Sequence, residues 1–129
     1  MIIIGYNSTE KQNFIKIKNI SDIDATNVSN IVWFESRDDI EYSISKYCRD
    51  NEIQYSALCN SLKDALFYNN LMAKYIFSND FELCKKMQKL ADMYFFDSKI
   101  IYAINNFDEI EEIALDGIDG VIHAPILGI

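Results

Sequence analysis

Four side chains offer this sequence its clearest chemistry: Glu35, Asp38, Asp80 and His123. Each stands at or just past a short apolar run, where a strand would end. Carboxylates gathered at such an edge suit a hard cation such as Mg²⁺, which takes oxygen ligands. His123, the sole histidine, lies between Ile122 and Ala124 and could serve as a general base near neutral pH. Cys59 precedes Ser61 and a helix start, a setting that can lower a thiol pKa; an inert, partly buried thiol is the alternative reading. No GxSxG motif occurs, and no serine–histidine–acid set can be assembled from spacing. No glycine-rich phosphate loop precedes a helix, because Gly5, Gly117, Gly120 and Gly128 are the only glycines. Further carboxylates, Asp39, Asp64, Glu82, Asp108 and Glu109, belong to the same edge, and Arg37 is the only cation placed beside them. That sign disfavours phosphate. It also has a plainer explanation, since acidic residues complement helix dipoles at helix starts. The expectation is therefore no catalytic residue, no cofactor and no metal, with Glu35, Asp38, Asp80 and His123 as the residues to inspect.

The elements that must position these groups alternate in type. Ile31–Glu35, Ile53–Leu58, Lys74–Ser78, Lys99–Ile104 and Gly120–His123 read as strands, being short and rich in β-branched or aromatic residues. Helical spacing fills the gaps. Ile40, Ile44, Tyr47 and Cys48 give one face, Leu62, Ala65, Leu66 and Asn69 a weaker one. Leu83, Cys84, Met87, Leu90, Ala91 and Tyr94 give the strongest, and Ile110, Ile113 and Ala114 the last. Ser36-x-x-Asp39, Ser61-x-x-Asp64, Asn79-x-x-Glu82 and Asn106-x-x-Glu109 each set a capping side chain three residues before a carboxylate, a helix-start pattern. Gly117 suits a left-handed helix end.

Strand–helix repeats with short connections imply right-handed crossovers and a parallel sheet. Residues 31–125 carry this rhythm. Residues 1–30 do not: Met1–Gly5 and Phe14–Lys18 read as two more strands joined by a polar turn around Asn7–Asn13, and Ser21–Asn30 as a polar connector with one turn of helix. The expected fold is one α/β domain over 1–129. It has three layers around a mostly parallel five-stranded sheet of flavodoxin-like order, with a β-rich edge from 1–30. A half (β/α) barrel is the alternative.

Composition bounds the partners. The 129 residues carry 12 Lys and Arg against 20 Asp and Glu, for a formal net charge of −8. That argues against sequence-independent nucleic-acid binding and against docking on anionic lipid. Lys85, Lys86 and Lys89 cluster, but on the outer face expected of a helix. No apolar run approaches the roughly eighteen residues of a membrane span, and no signal peptide is visible. The three cysteines, Cys48, Cys59 and Cys84, form no CxxC pair, which favours reduced thiols and a cytoplasmic location.

The stretch from Ile31 to Pro125 resembles a degenerate receiver domain of the response-regulator type. Its closing part, KIIYAI, an acidic helix and ALDGIDGVIHAPI, is similar to the receiver pattern of fourth strand, helix, Gly-Ala-Asp, fifth strand and Lys-Pro. Barrel enzymes also close with a Gly-x-Asp-Gly-Val-Ile strand. The family's chemistry is absent at the matching positions. Glu35 and Ser36 stand where an acidic pair is expected, Asn79 where the phospho-accepting aspartate belongs, and Ala124 at the lysine. Ala103, Ile104 and Asn105 offer no hydroxyl at the end of the fourth strand. The resemblance implies a pseudo-receiver, a non-catalytic interaction or regulatory module acting through protein–protein contacts. The other reading is a small metabolite- or metal-binding domain, or an enzyme using the acidic rim and His123. With no helix after Gly120–His123 and an apolar run at Pro125–Ile129, a homodimer covering that strand is expected.

Overall fold

The computed structural model describes residues 1–6, 12–26 and 29–129. Its elements run β1 (Ile2–Ile4), β2 (Asn13–Lys16), a 3-10 turn (Ile20–Ala25), β3 (Asn30–Glu35), α1 (Ser43–Asp50), β4 (Tyr55–Leu58), α2 (Leu62–Asn70), β5 (Tyr75–Ser78), α3 (Phe81–Met93), β6 (Lys99–Ile104), α4 (Ile110–Leu115), β7 (Gly120–His123) and a last 3-10 turn (Ala124–Leu127). All five strands expected after residue 30 are present. The sheet, however, has seven strands, all parallel, in the order β1-β7-β6-β5-β4-β3-β2.

That order corrects the flavodoxin-like expectation. From β3 to β7 each strand lies beside its predecessor, so the order never reverses. Right-handed crossovers that never reverse put every helix on the same face. The buried residues of all four helices accordingly fall in one cluster, with Val32, Phe34, Ala57, Ile76, Ile100 and Val121 of the sheet. The other face carries its own cluster of Ile31, Trp33, Tyr75, Phe77, Ile101, Ala103 and Ile122. The sheet curls around that second cluster: Phe14 at one flank lies 5.7 Å, ring to ring, from Phe77, three strands away. The architecture is a curled half-barrel with helices outside, and the third layer does not form.

Residues 1–30 also differ from the single β-rich edge expected. β1 pairs with β7 and β2 pairs with β3, so the two strands take opposite flanks of the sheet. Alternation could show that both were strands; it carried no information on which neighbour each would choose. The expected polar turn at Asn7–Asn13 falls largely on residues 7–11, which lie outside the described residues, as do residues 27 and 28 of the expected connector.

The expected lack of cover on β7 is met within the chain. β1 extends the sheet beyond β7, and the 3-10 turn that follows β7 packs against β2, at the far flank. To touch β2 from the end of β7 it must cross the mouth of the half-barrel. Leu127 and Ala124 are buried in the concave cluster, while Ile126 and Ile129 stay partly exposed. Gly5, at the end of β1, has φ +92°, and a Cβ there would overlap Ile126 Cδ1. The same turn thus packs against the ends of both flanking strands.

All four helices end in a left-handed residue, and α1, α2 and α3 share the same hydrogen-bonded closure. The residue after the cap is left-handed at Glu52 (φ 54°), Met72 (φ 68°), Phe95 (φ 53°) and Gly117 (φ 75°). The next residue then donates its N–H back into the helix: Ile53 to Cys48 O, Ala73 to Tyr68 O and Phe96 to Ala91 O. These are Schellman closures, and the residue that follows each turn is an apolar anchor at the start of the next strand segment. Gly117 plays the part the sequence assigned to it.

Candidate functional site

In a sheet of parallel strands the strand C-termini and helix N-termini share one rim, where ligands usually bind. The structure puts every candidate on that rim and gives most of them a partner. Glu35, which ends β3, is held by Arg37 at 2.8 Å and by Lys16 of β2 at 3.5 Å. Lys16 also lies 5.2 Å from the centre of the Trp33 ring. Partial burial pulls the Glu35 pKa up. The Arg37 hydrogen bond and the Lys16 and Arg37 charges outweigh that, so it titrates below the ordinary carboxylate range. Lys16 is a second rim cation that sequence reasoning missed, because nothing local places β2 beside β3.

Asp39 departs furthest from expectation. Ser36-x-x-Asp39 does not open α1: 3-10 turns occupy Ser36–Asp38 and Ile40–Tyr42, Ile40 is 68% exposed, and Glu41 and Tyr42 take left-handed conformations before α1 begins at Ser43. Asp39 instead folds inward, 5% exposed. Its Oδ1 accepts from the Ile44 and Ser45 N–H groups at 2.6 and 3.3 Å, and its Oδ2 from Ser45 Oγ at 2.7 Å and Tyr68 OH at 3.0 Å. The anion-binding end of α1 is therefore filled by the chain's own carboxylate. Tyr42 OH donates to Asp64 at 2.7 Å beside it, and burial, then Asp64, push the Tyr42 phenol up to about 12.

The other caps sort by case. Ser61 accepts from Asp64 N–H, and Asn106 from Asp108 N–H, as expected. At α3 the cap is Asp80, accepting from Leu83 N–H at 3.2 Å, and not Asn79. Glu82 bonds Lys85 at 2.9 Å. Asp38 keeps one buried oxygen, Oδ2, without a hydrogen-bond partner among the described residues. No group of three His, Cys, Asp or Glu side chains is brought together to hold a metal among the described residues.

Cys59 does not acquire a low pKa. It is 3% exposed, and burial first, then Asp64 and Asp39, push its thiol well up. Cys48 and Cys84 are also buried and free, their thiols raised to about 12, mainly by burial.

His123 ends β7 and packs on Phe107, with ring centres 5.4 Å apart; Phe107 in turn meets Tyr6 at 4.8 Å. A depression of about 500 Å³ beside them is lined by Tyr6, Asn105, Asn106, Phe107, Asp108 and Ile110, together with Ile3. It lies outside the mouth, between the ends of β1 and β6. On the concave side, Leu127 and Ala124 of the last turn are buried in the cluster of Trp33, Phe77 and Ile122. Glu35, Asp39, Asp64 and Asp80 are thus engaged by the fold, while Asp38 Oδ2 has no partner among the described residues and His123 has ring contacts. No helix among the described residues is long and apolar enough to cross a membrane. The chain matches no protein-family model, and no curated protein matches it.

Proposed function

We propose that this chain is a non-catalytic interaction module, acting through protein–protein contacts in the cytoplasm, and that it pairs with a second copy of itself. The observation that carries the reading is the filled mouth. A half-barrel that bound substrate would keep that space open, whereas here Leu127 is buried in it at 5% exposure. The pseudo-receiver resemblance contributes chemistry only: Asn79 and Ala124 replace the aspartate and lysine that aspartyl-phosphate transfer needs. Acetyl phosphate with Mg²⁺ should leave the mass of the protein unchanged. A stoichiometric phosphate adduct would end the non-catalytic reading.

A second reading has one observation in its favour. The depression beside His123 presents two aromatic rings, two amides and a carboxylate, a lining able to hold a small neutral or cationic metabolite. A thermal-shift screen with Mg²⁺, Mn²⁺ and small metabolites separates the two, since a ligand at a hundred times its Kd adds roughly 2.7 kcal/mol. The module reading expects no shift.

A further inference from the structure

At the end opposite the rim two large apolar residues, Met72 and Phe95, combine a left-handed backbone with exposure, and Phe95 is the more exposed. Phe95 closes α3 in a left-handed conformation, where an L residue costs about 1–2 kcal/mol, and its ring is 88% exposed. Gly117 shows that the same position in the next helix is filled without that cost. Neither the backbone nor the solvent accounts for a phenylalanine here.

Beside it lies a depression of about 370 Å³ that Phe95 itself borders, floored by the buried Ala91 and Phe96 and flanked by Asp92 and Lys99; Gln88 and the half-buried Asp119, whose Oδ2 accepts from Ile100 N–H, complete its lining. Both charged residues are exposed. Asp92 accepts from the Gln88 amide, and neither it nor Lys99 joins an ion pair among the described residues. A projecting ring, an adjoining hollow and opposite charges outside any ion pair suit a two-fold contact, because each feature can meet its complement on the second copy.

We propose that two copies of this chain associate through this patch, the Phe95 ring of each entering the hollow between Asp92 and Lys99 of the other. Lys99 of one copy then faces Asp92 of its mate. The net charge of −8 on each copy opposes the approach, but that repulsion is screened over about 8 Å at physiological salt, while the paired charges act in contact. The inference rests on the self-association reading above and adds its surface.

Light scattering on the size-fractionated protein, at tens to hundreds of micromolar, tests both. The native chain should run at about twice 15.0 kDa. Phe95→Asp should run at 15.0 kDa with an unchanged circular dichroism spectrum. Lys99→Asp should weaken association about tenfold, and Asp92→Lys in the same chain should restore it. Leu115→Asp, also on an exposed helix end, should leave the dimer intact. A monomeric native chain overturns the self-association reading and this surface together. A native dimer that survives Phe95→Asp overturns the surface alone and leaves the reading standing.

Discussion

The two ends of the curled sheet are built on opposite terms. At the strand C-terminal rim, side chains that could do chemistry are engaged by the fold: Asp39 by α1 and Tyr68, Glu35 by Lys16 and Arg37, Asp80 by α3. At the other end, large apolar side chains stand in water: Met72 at 73%, Phe95 at 88% and Leu115 at 89% exposure. A rim rich in polar residues is usually taken as the working end of such a fold. Here the polar end contributes hydrogen bonds and ion pairs to the fold, and the opposite end, beyond its helix-closing turns, presents large apolar side chains to solvent. The contrast is measurable: substitutions of these rim groups should destabilise, and substitutions of these exposed apolar side chains should not.

Asp39→Ala should have the largest effect. It strands two helix N–H groups and the Tyr68 hydroxyl in a buried site, while Ser45 Oγ keeps the Tyr42 carbonyl, and the loss should be about 3 kcal/mol by urea unfolding. Asp39→Asn keeps some acceptor capacity and should lose less. An Asp39→Ala variant as stable as the native chain would show that the rim is free for a ligand after all.

Leu127→Ala probes the filled mouth. Removing its side chain from the concave cluster should cost about 2 kcal/mol, near the lower end for buried leucine, because a short turn can settle into the space. A negligible loss would mean that the turn lies over the mouth without filling it.

The four helix ends sharpen the comparison from the other side. Glu52 is exposed at φ 54°, touches neither end's proposed contacts, and should gain about 1 kcal/mol as Glu52→Gly. Gly117→Ala, at φ 75° with open space around it, should lose a similar amount. Both are read at one fixed protein concentration, so that association does not enter the difference. Opposite signs at equivalent turns confirm that backbone conformation alone sets the cost. Equal signs would mean that the Glu52 side chain contributes a contact of its own.

How far the sequence foretold this follows from the range of each signal. Strand existence is local, carried by runs such as KIIYAI, and all five runs after residue 30 became strands. Cap register is local too but degenerate: Asn79 and Asp80 are both good caps, and only the three-dimensional turn selects Asp80. Ile40 matched a helical face yet lies outside α1, ahead of the left-handed Glu41 and Tyr42, while the buried Asp39 before it accepts from the Ile44 N–H at the start of α1. In α3 the expected face was right in outline, but Met87, Cys84 and Ala91 are its buried centre, and Leu83 and Leu90 only its margin. Strand order and the placing of β1 and β2 are non-local, and so was everything that depends on them: the Lys16–Glu35 pair, the curl of the sheet and the mouth closed by Leu127.

The smallest expected effect lies in the pH dependence of the rim. Glu35 has its pKa lowered in the fold, against burial, by Arg37 and Lys16. A carboxylate lowered on folding binds fewer protons folded than unfolded. Its contribution is therefore fully present above the unfolded pKa, and is lost as the pH falls through the lowered folded value. Glu35→Gln should remove that contribution, flattening the acid side of the stability profile while leaving the shape above neutral pH unchanged. Arg37 is exposed and its share is screened by salt, so the flattening should shrink at high ionic strength. Lys16→Met removes the other cation and should flatten the same limb. If it has no effect while Glu35→Gln does, β2 is not held to the rim through this pair, and the flank there depends on its backbone ladder with β3 alone.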